Sequence, residues 1–122
     1  MKAAIFHEPF KVTMEDVPVP KIGDGDILVR VHACGICGSD LHMYRLGVFS
    51  EVLCRQSEGG LIPGHEFAGV VAEVGKDVEG IEVGDRVTAI TFGGMAEYVP
   101  ITPAQLDFNV YKVPEEVGWV EA

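Results

Sequence analysis

Short apolar segments alternate with turn residues along the whole chain, and 15 Gly and 7 Pro residues mark the breaks. Residues 27–33 show the clearest pattern, because apolar side chains recur there at every second position. A period of two predicts a β-strand with one buried face. Similar apolar segments predict further strands over residues 2–6, 11–17, 67–74, 86–91, 95–101 and 108–113.

Helical segments are short and few. Residues 39–45 can form one or two helical turns, for which Ser39 or Asp40 is the candidate N-cap. Residues 47–62 have no clean period and predict a surface loop, while residues 114–116 can open a helix that is marginal at this length. Many short strands with almost no helix predict a mainly β fold, either a barrel or a sandwich. The length fits one domain over residues 1–122.

Composition narrows the classes of partner. The formal net charge of -10 argues against nucleic acid and anionic membranes as partners, because both attract a basic surface. No apolar run approaches the roughly 20 residues of a membrane span, and the first residues lack a signal-peptide pattern. Three cysteines are an odd number, which argues against a disulfide framework and for a reducing, cytoplasmic location.

Residues 37–42 and 63–67 contain the side chains that can bind a metal ion. A thiolate, an imidazole and nearby carboxylates form the ligand set that suits zinc, and a catalytic zinc keeps three protein ligands and one open position. Cys37 and His65 are the two strong candidates, and Glu66 is a conditional third. Since these residues lie far apart in the sequence, the fold must bring them together.

The remaining sequence patterns give weaker evidence of a functional site. Cys34 and Cys37 form a Cys-x-x-Cys pair, but a redox pair of this spacing normally opens a helix, and here it ends a strand. We therefore expect Cys34 in the core and Cys54 as an ordinary loop residue. No Gly-x-Gly-x-x-Gly segment follows a strand and opens a helix, so we expect no dinucleotide-binding residues in this chain.

Four segments together resemble the zinc-dependent medium-chain dehydrogenases. They are GICGSDLH at residues 35–42, GHEFAG at 64–69, GDRV at 84–87 and AEYV at 96–99. Their order and spacing are similar to those of the N-terminal catalytic domain of alcohol, sorbitol and threonine dehydrogenases. The resemblance implies a GroES-like, partly open β-barrel with one or two short helices.

The resemblance also implies a metal site. Cys37 and His65 would be zinc ligands, and Glu66 would lie beside the metal as a ligand in some states. Asp40 would accept a hydrogen bond from the far ring nitrogen of His65 and so fix its tautomer. The alternatives are ordinary ones: a small buried cysteine, a hydrogen-bonded loop histidine and a solvated glutamate.

A proton path and a cofactor follow from the same resemblance. Ser39 would take the proton of a substrate hydroxyl and His42 would pass it towards solvent, although Ser39 could instead cap the helix and His42 could be a surface residue. Zn²⁺ would act as a Lewis acid while hydride leaves to NAD(P), which only a full-length enzyme would bind. The implied substrate is a small-molecule alcohol or polyol, and a homo-oligomer is compatible with the sequence.

Three departures from the family shape our expectation. The family's dinucleotide-binding domain is missing, and the sequence ends before the position at which the family's third zinc ligand is expected. Residues 88–95 contain no cysteines for a structural zinc lobe. We therefore expect a truncated dehydrogenase piece that is inactive alone. The alternatives are a non-catalytic zinc-binding or interaction module and a GroES-type co-chaperonin. Asp85 and Arg86 are expected to form a turn and a structural ion pair.

Overall fold

The computed structural model describes residues 1–48 and 50–122, and the side chains of all of these except residues 52, 53, 107 and 108. In this part of the chain, nine strands and three helices follow one another. Their bounds are β1 Lys2–Glu8, β2 Lys11–Asp16, β3 Ile27–Cys34, α1 Gly38–Leu46, α2 Ser50–Leu53, β4 Arg55–Ser57, β5 Gly60–Ile62, β6 Phe67–Val74, β7 Arg86–Ala89, β8 Tyr98–Ile101, α3 Pro103–Asn109 and β9 Val110–Lys112.

The strands form two antiparallel sheets. One has the order β2-β1-β5-β4 and the other has the order β8-β3-β6-β7-β9. The segment before β8 joins them: Ala96 forms a bridge with Ala3, and the backbone N–H of Glu97 donates to the carbonyl of Lys2 at 3.0 Å. The backbone N–H of Val31 in turn donates to the carbonyl of Glu97 at 2.9 Å. This connection gives a partly open barrel, and it confirms the predicted mainly β class.

One core cluster is formed by β3, β6, β7 and β8 of the five-stranded sheet, and its β3 residues follow the predicted alternation. Ile27 and Val29 of β3 are fully buried and pack with apolar residues of the neighbouring strands. Arg30 and His32 are exposed, as a period of two requires. Leu28 is buried as well, so the start of β3 is enclosed on both faces. None of the helices in the described residues is long and apolar enough to cross a membrane.

The prediction of a surface loop over residues 47–62 was wrong. This stretch contains α2 and the hairpin of β4 and β5, which joins the first sheet where Leu61 pairs with Phe6. The hydroxyl of Ser57 donates to the carbonyl of Gly60 at 2.8 Å and closes the hairpin turn. Strands of three residues are too short to show a period, which is why the pattern did not reveal them.

Two predictions near the end of the chain also need correction. The strand predicted over residues 108–113 begins late, because α3 extends to Asn109. The helix predicted from residue 114 does not form. The backbone turns there, and the Arg86 guanidinium donates hydrogen bonds to several of its carbonyl groups.

Candidate metal centre

The antiparallel register of β3 and β6 brings the two halves of the candidate site together. Cys34, the last residue of β3, pairs with Phe67, the first residue of β6. One residue further out, the N–H of Gly35 donates to the carbonyl of Glu66 at 2.7 Å. The segment that leaves β3 and the segment that enters β6 are therefore neighbours, although they are distant in the sequence.

Gly64 fixes the backbone immediately before His65. Its φ of 86° lies in the left-handed region, and a Cβ at this position would lie 2.8 Å from the Sγ of Cys34. Its carbonyl accepts hydrogen bonds from the N–H groups of Gly93 and Gly94, at 2.8 and 3.0 Å. Only glycine fits this crowded turn, so the turn holds His65 in a defined place.

Cys37 is the N-cap of α1, so the prediction of Ser39 or Asp40 in that role was wrong. The Sγ of Cys37 accepts a hydrogen bond from the N–H of Ser39 at 3.4 Å. The carboxylate of Asp40 reaches back and accepts from the N–H of Cys37 at 2.9 Å, which completes a capping box. The hydroxyl of Ser39 is consequently not used for capping.

Four side chains meet at the start of α1. The Sγ of Cys37 lies 3.2 Å from the Nε2 of His65, and the Oγ of Ser39 lies 3.2 Å from the same nitrogen. The Sγ of Cys37 and the Oγ of Ser39 are 2.8 Å apart. On the other side of the ring, the Nδ1 of His65 faces the Oδ1 of Asp40 at 3.5 Å.

The geometry of this group fits zinc. Zinc–sulfur and zinc–nitrogen bonds of about 2.3 and 2.05 Å at a tetrahedral angle place the two ligand atoms about 3.6 Å apart. The sulfur and nitrogen here are 3.2 Å apart, and the ligand atoms of Cys37, Asp40 and His65 all lie within 4.8 Å of one another. The residues present can therefore hold the metal that the sequence predicts.

Asp40 is placed to orient the imidazole. It is only 5% exposed, and its Oδ1 and the Nδ1 of His65 are both buried without another hydrogen-bond partner. A carboxylate only accepts hydrogen bonds, so it favours a proton on Nδ1. The Nε2 lone pair is then available for a metal beside Cys37.

The structure does not bring the other two predicted residues into this group. The Glu66 side chain is exposed and lines a cleft of about 470 Å³ together with Cys34 and Trp119. His42 lies on the exposed side of α1. A metal-ligand role for Glu66 and a proton-relay role for His42 remain predictions.

The other two cysteines lie outside the group of candidate ligands. All three cysteines are free thiols. Burial is the main cause that raises the pKa of Cys34 to about 11, in agreement with its predicted place in the core. Cys54 is not an ordinary loop residue, because it is buried and its thiol donates to the Sδ of Met43 at 3.1 Å. Burial raises its pKa to about 11 as well.

Asp85 and Arg86 do not form the predicted ion pair. Asp85 instead pairs with Lys112 at 2.7 Å. Arg86 donates to the carbonyls of residues 114, 115 and 117, and its guanidinium lies 4.0 Å from the ring centre of Trp119. The sequence suggested that these two adjacent residues pair with each other, whereas in the fold each has partners about thirty residues away in the sequence.

Known proteins match this chain over most of its length. The alcohol dehydrogenase GroES-like domain family matches residues 23–115. Zinc-type alcohol dehydrogenase B of Aspergillus flavus is 44% identical over 90 residues, which are 73% of this chain and 19% of that enzyme. Sorbitol dehydrogenase of Bacillus subtilis is 45% identical over 87 residues, which are 71% of this chain and 24% of that enzyme.

A solved structure agrees with both matches. The crystal structure of 2R,3R-butanediol dehydrogenase from Bacillus subtilis has a TM-score of 0.82 and 31% identity, and the match covers 98% of this chain and 42% of that one. The chain thus spans about a fifth to a quarter of the two curated relatives. Since the family match covers most of its residues, including the whole candidate site, this chain belongs to the alcohol dehydrogenase GroES-like domain family.

Proposed function

We propose that this chain is the zinc-binding catalytic domain of an NAD(P)-dependent dehydrogenase that acts on a small alcohol or polyol. The observation that carries the proposal is the 3.2 Å separation between the Sγ of Cys37 and the Nε2 of His65. Relatives named zinc-type alcohol dehydrogenase and sorbitol dehydrogenase match the region that contains both residues. The chemistry of the site and these names support the same class of reaction.

Cys37 and His65 would hold the zinc ion, and Asp40 would keep the imidazole in the tautomer that binds it. When bound, zinc supplies Lewis-acid polarisation of a substrate hydroxyl or carbonyl oxygen. Glu66 is the third proposed donor. Its side chain is exposed and lines the neighbouring cleft.

Ser39 is the proposed acceptor of the substrate hydroxyl proton. Its Oγ lies beside both candidate ligand atoms and is not occupied in capping the helix. His42, one helical turn along α1 and exposed, would pass the proton to solvent. We place NAD(P) outside these 122 residues because the sequence lacks a dinucleotide-binding motif. Three free cysteines support a reducing, cytoplasmic location.

Metal analysis of the purified chain tests the proposal. We expect one zinc per chain, lost in Cys37→Ala and His65→Ala. Cys54→Ala and His7→Ala are the matched controls, since each removes the same residue type from a position outside the group, and both should retain zinc. Glu66→Gln shows whether that carboxylate contributes. Equal zinc binding by Cys37→Ala and Cys54→Ala would remove the basis of the proposal.

A further inference from the structure

β2 is an exposed strand at the edge of its sheet. β1 pairs with one side of it, and among the described residues no strand pairs with the other side. The other strands at sheet edges are β4, β8 and β9, which have only three or four residues, and Pro100 lies within β8. Short strands and prolines protect an edge from further pairing. β2 has six residues and no proline, so it is the edge that can accept another strand.

The backbone groups of Val12 and Met14 point towards this open side. The amino group of Met1 donates to the carbonyl of Val17 at 2.8 Å, and the N–H of Val17 donates to the carbonyl of Met1 at 2.9 Å. Bonded and non-bonded pairs alternate in an antiparallel ladder, so the odd-numbered residues of β2 bond to β1 and the even-numbered ones point away. Ala4, the partner of Met14, agrees, since its N–H donates to the segment on the other side of β1.

The sequence of β2 is complementary to itself. When two copies pair in antiparallel orientation about Thr13, Val12 of one copy lies opposite Met14 of the other. Each such pair would exchange both backbone hydrogen bonds, because these are the residues whose N–H and C=O groups point outward. In the same register, Lys11 of one copy lies opposite Glu15 of the other. Apolar and oppositely charged cross-strand pairs both stabilise a sheet.

The charges of β2 are available for this pairing. The Nζ of Lys11 lies 3.5 Å from the carboxylate of Glu8, and both side chains are largely exposed. The Oε1 of Glu15 lies 3.0 Å from the Nε2 of His7 and accepts from the hydroxyl of Thr13 at 2.7 Å. The Oε2 of the same carboxylate can therefore accept from Lys11 of a second copy. A lysine on an edge strand discourages other strands, which supply no acidic residue at that position.

An apolar cleft of about 210 Å³ opens beside this edge. Val12 lines it together with Ile36, Leu41 and Tyr44, all of which are exposed apolar side chains. Met14 is 67% exposed. In the register above, Met14 of the second copy lies beside Val12, at the mouth of this cleft. The paired strand would therefore remove apolar surface from water on both copies.

We propose that this chain forms a homodimer in which β2 pairs with β2 of a second copy. This inference goes beyond the proposed function and does not require a metal ion. The pairing joins two four-stranded sheets into one continuous sheet, a form of strand addition in which the backbone supplies affinity and the side chains supply specificity. Because the contact is small, we expect a reversible dimer with a dissociation constant on the order of 100 µM.

Charge reversal tests both the dimer and its register. Sedimentation equilibrium of the chain should give a mass that rises from monomer towards dimer between about 20 µM and about 1 mM. Lys11→Glu and Glu15→Lys should each weaken association by about tenfold, since each places like charges opposite one another at both ends of the contact. An equimolar mixture of these two variants should form a heterodimer, because every Lys–Glu pair is then restored. The double variant should dimerise like the wild type for the same reason.

Lys21→Glu and Glu58→Lys are the matched controls, because they make the same charge changes at exposed positions outside β2. Both should keep the wild-type affinity. A chain that stays monomeric at about 1 mM would overturn the proposal. So would a dimer that Lys11→Glu and Glu15→Lys weaken no more than the controls, because the copies would then meet through another surface. Circular dichroism of each variant verifies that it is folded.

NMR spectra recorded on dilution test the hydrogen-bond pattern without any substitution. The amide proton resonances of Val12 and Met14 should shift most, since their N–H groups exchange water for a carbonyl of the second copy. Those of Thr13 and Glu15 should shift less, because they bond to β1 in both states. Larger shifts at the odd-numbered residues, or shifts confined to α1, would refute the proposed pairing.

Discussion

Replacing Asp40 by asparagine tests how the candidate site is held. One carboxylate oxygen of Asp40 accepts from the N–H of Cys37 at 2.9 Å, and the other faces the Nδ1 of His65 at 3.5 Å. An amide has only one oxygen, and the helix cap requires it. The amide NH₂ would then face Nδ1 and donate to it, which places the ring proton on Nε2 and blocks metal binding there.

Two effects of Asp40→Asn can be estimated separately. Loss of the orienting group should weaken zinc binding about 10- to 100-fold, typical for a residue that positions a histidine ligand. That range corresponds to about 1.4–2.7 kcal/mol of binding free energy. The helix should also lose about 1 kcal/mol of stability, because a neutral amide replaces a charged acceptor at the N-terminus of α1.

Asp26→Asn is the matched control. The Asp26 carboxylate also accepts from a backbone N–H three residues earlier, that of Gly23 at 2.8 Å, but it is not in the cysteine–histidine group. Competition with a chromogenic chelator gives the zinc dissociation constant, and urea unfolding of the metal-free chains gives stability. Asp26→Asn should bind zinc within about twofold of the wild type. Wild-type zinc affinity in Asp40→Asn would refute the reasoning, as would an equal loss in Asp26→Asn.

Two further predictions concern packing and the buried thiols. Gly69→Ala should lower the free energy of unfolding, measured by urea titration, by about 3 kcal/mol, because its Cβ would lie 2.2 Å from a backbone oxygen of β3. Gly38→Ala is the control and should not destabilise the chain, because a Cβ there meets nothing within 4 Å. Cys34 and Cys54 should be alkylated much more slowly at pH 8 than in the urea-unfolded chain, since burial raises both pKa values to about 11 and only the thiolate reacts. Thiols ionise near pH 9.0 in the unfolded state, so the contribution of these two thiols to stability should be constant below that pH and should fall as the pH rises towards 11. Fast alkylation of Cys34 or Cys54 in the native chain at pH 8, located by mass spectrometry because Cys37 is also a free thiol, would contradict the burial of these two thiols.

Cys37 and His65 could be predicted as metal ligands because the thiol and the imidazole are properties of single residues. A thiol and an imidazole in motif settings indicated zinc before any contact was known. The strands predicted over residues 27–33 and 67–74 pair with each other in the structure, but the sequence analysis did not predict that pairing. The antiparallel register then places the end of one strand beside the start of the other. The register itself depends on packing of both strands, which the pattern of one chain segment does not contain.

The third helix could also have been predicted. Thr102 and Gln105 have the spacing of a capping box, and Pro103 occupies the first helical position. The β-type residues that follow instead predict a strand over residues 108–113, and the start of that strand overlaps the end of the helix. By contrast, the burial of the Nε and Nη2 atoms of Arg55 without a hydrogen bond to any described residue had no signal in the sequence, because it depends on how distant segments pack together.

Cys37, as the N-cap of α1, connects the stability of this helix to metal binding. Because Cys37 and Asp40 form the capping box, the atoms that start the helix are also those that hold and orient the candidate ligands. A metal that binds the folded site but not the unfolded chain stabilises the fold by its binding free energy. Zinc should therefore stabilise α1 in particular, and variants that weaken the cap should lose zinc affinity even where they leave both ligands in place. The fold and the site cannot be varied independently at this helix.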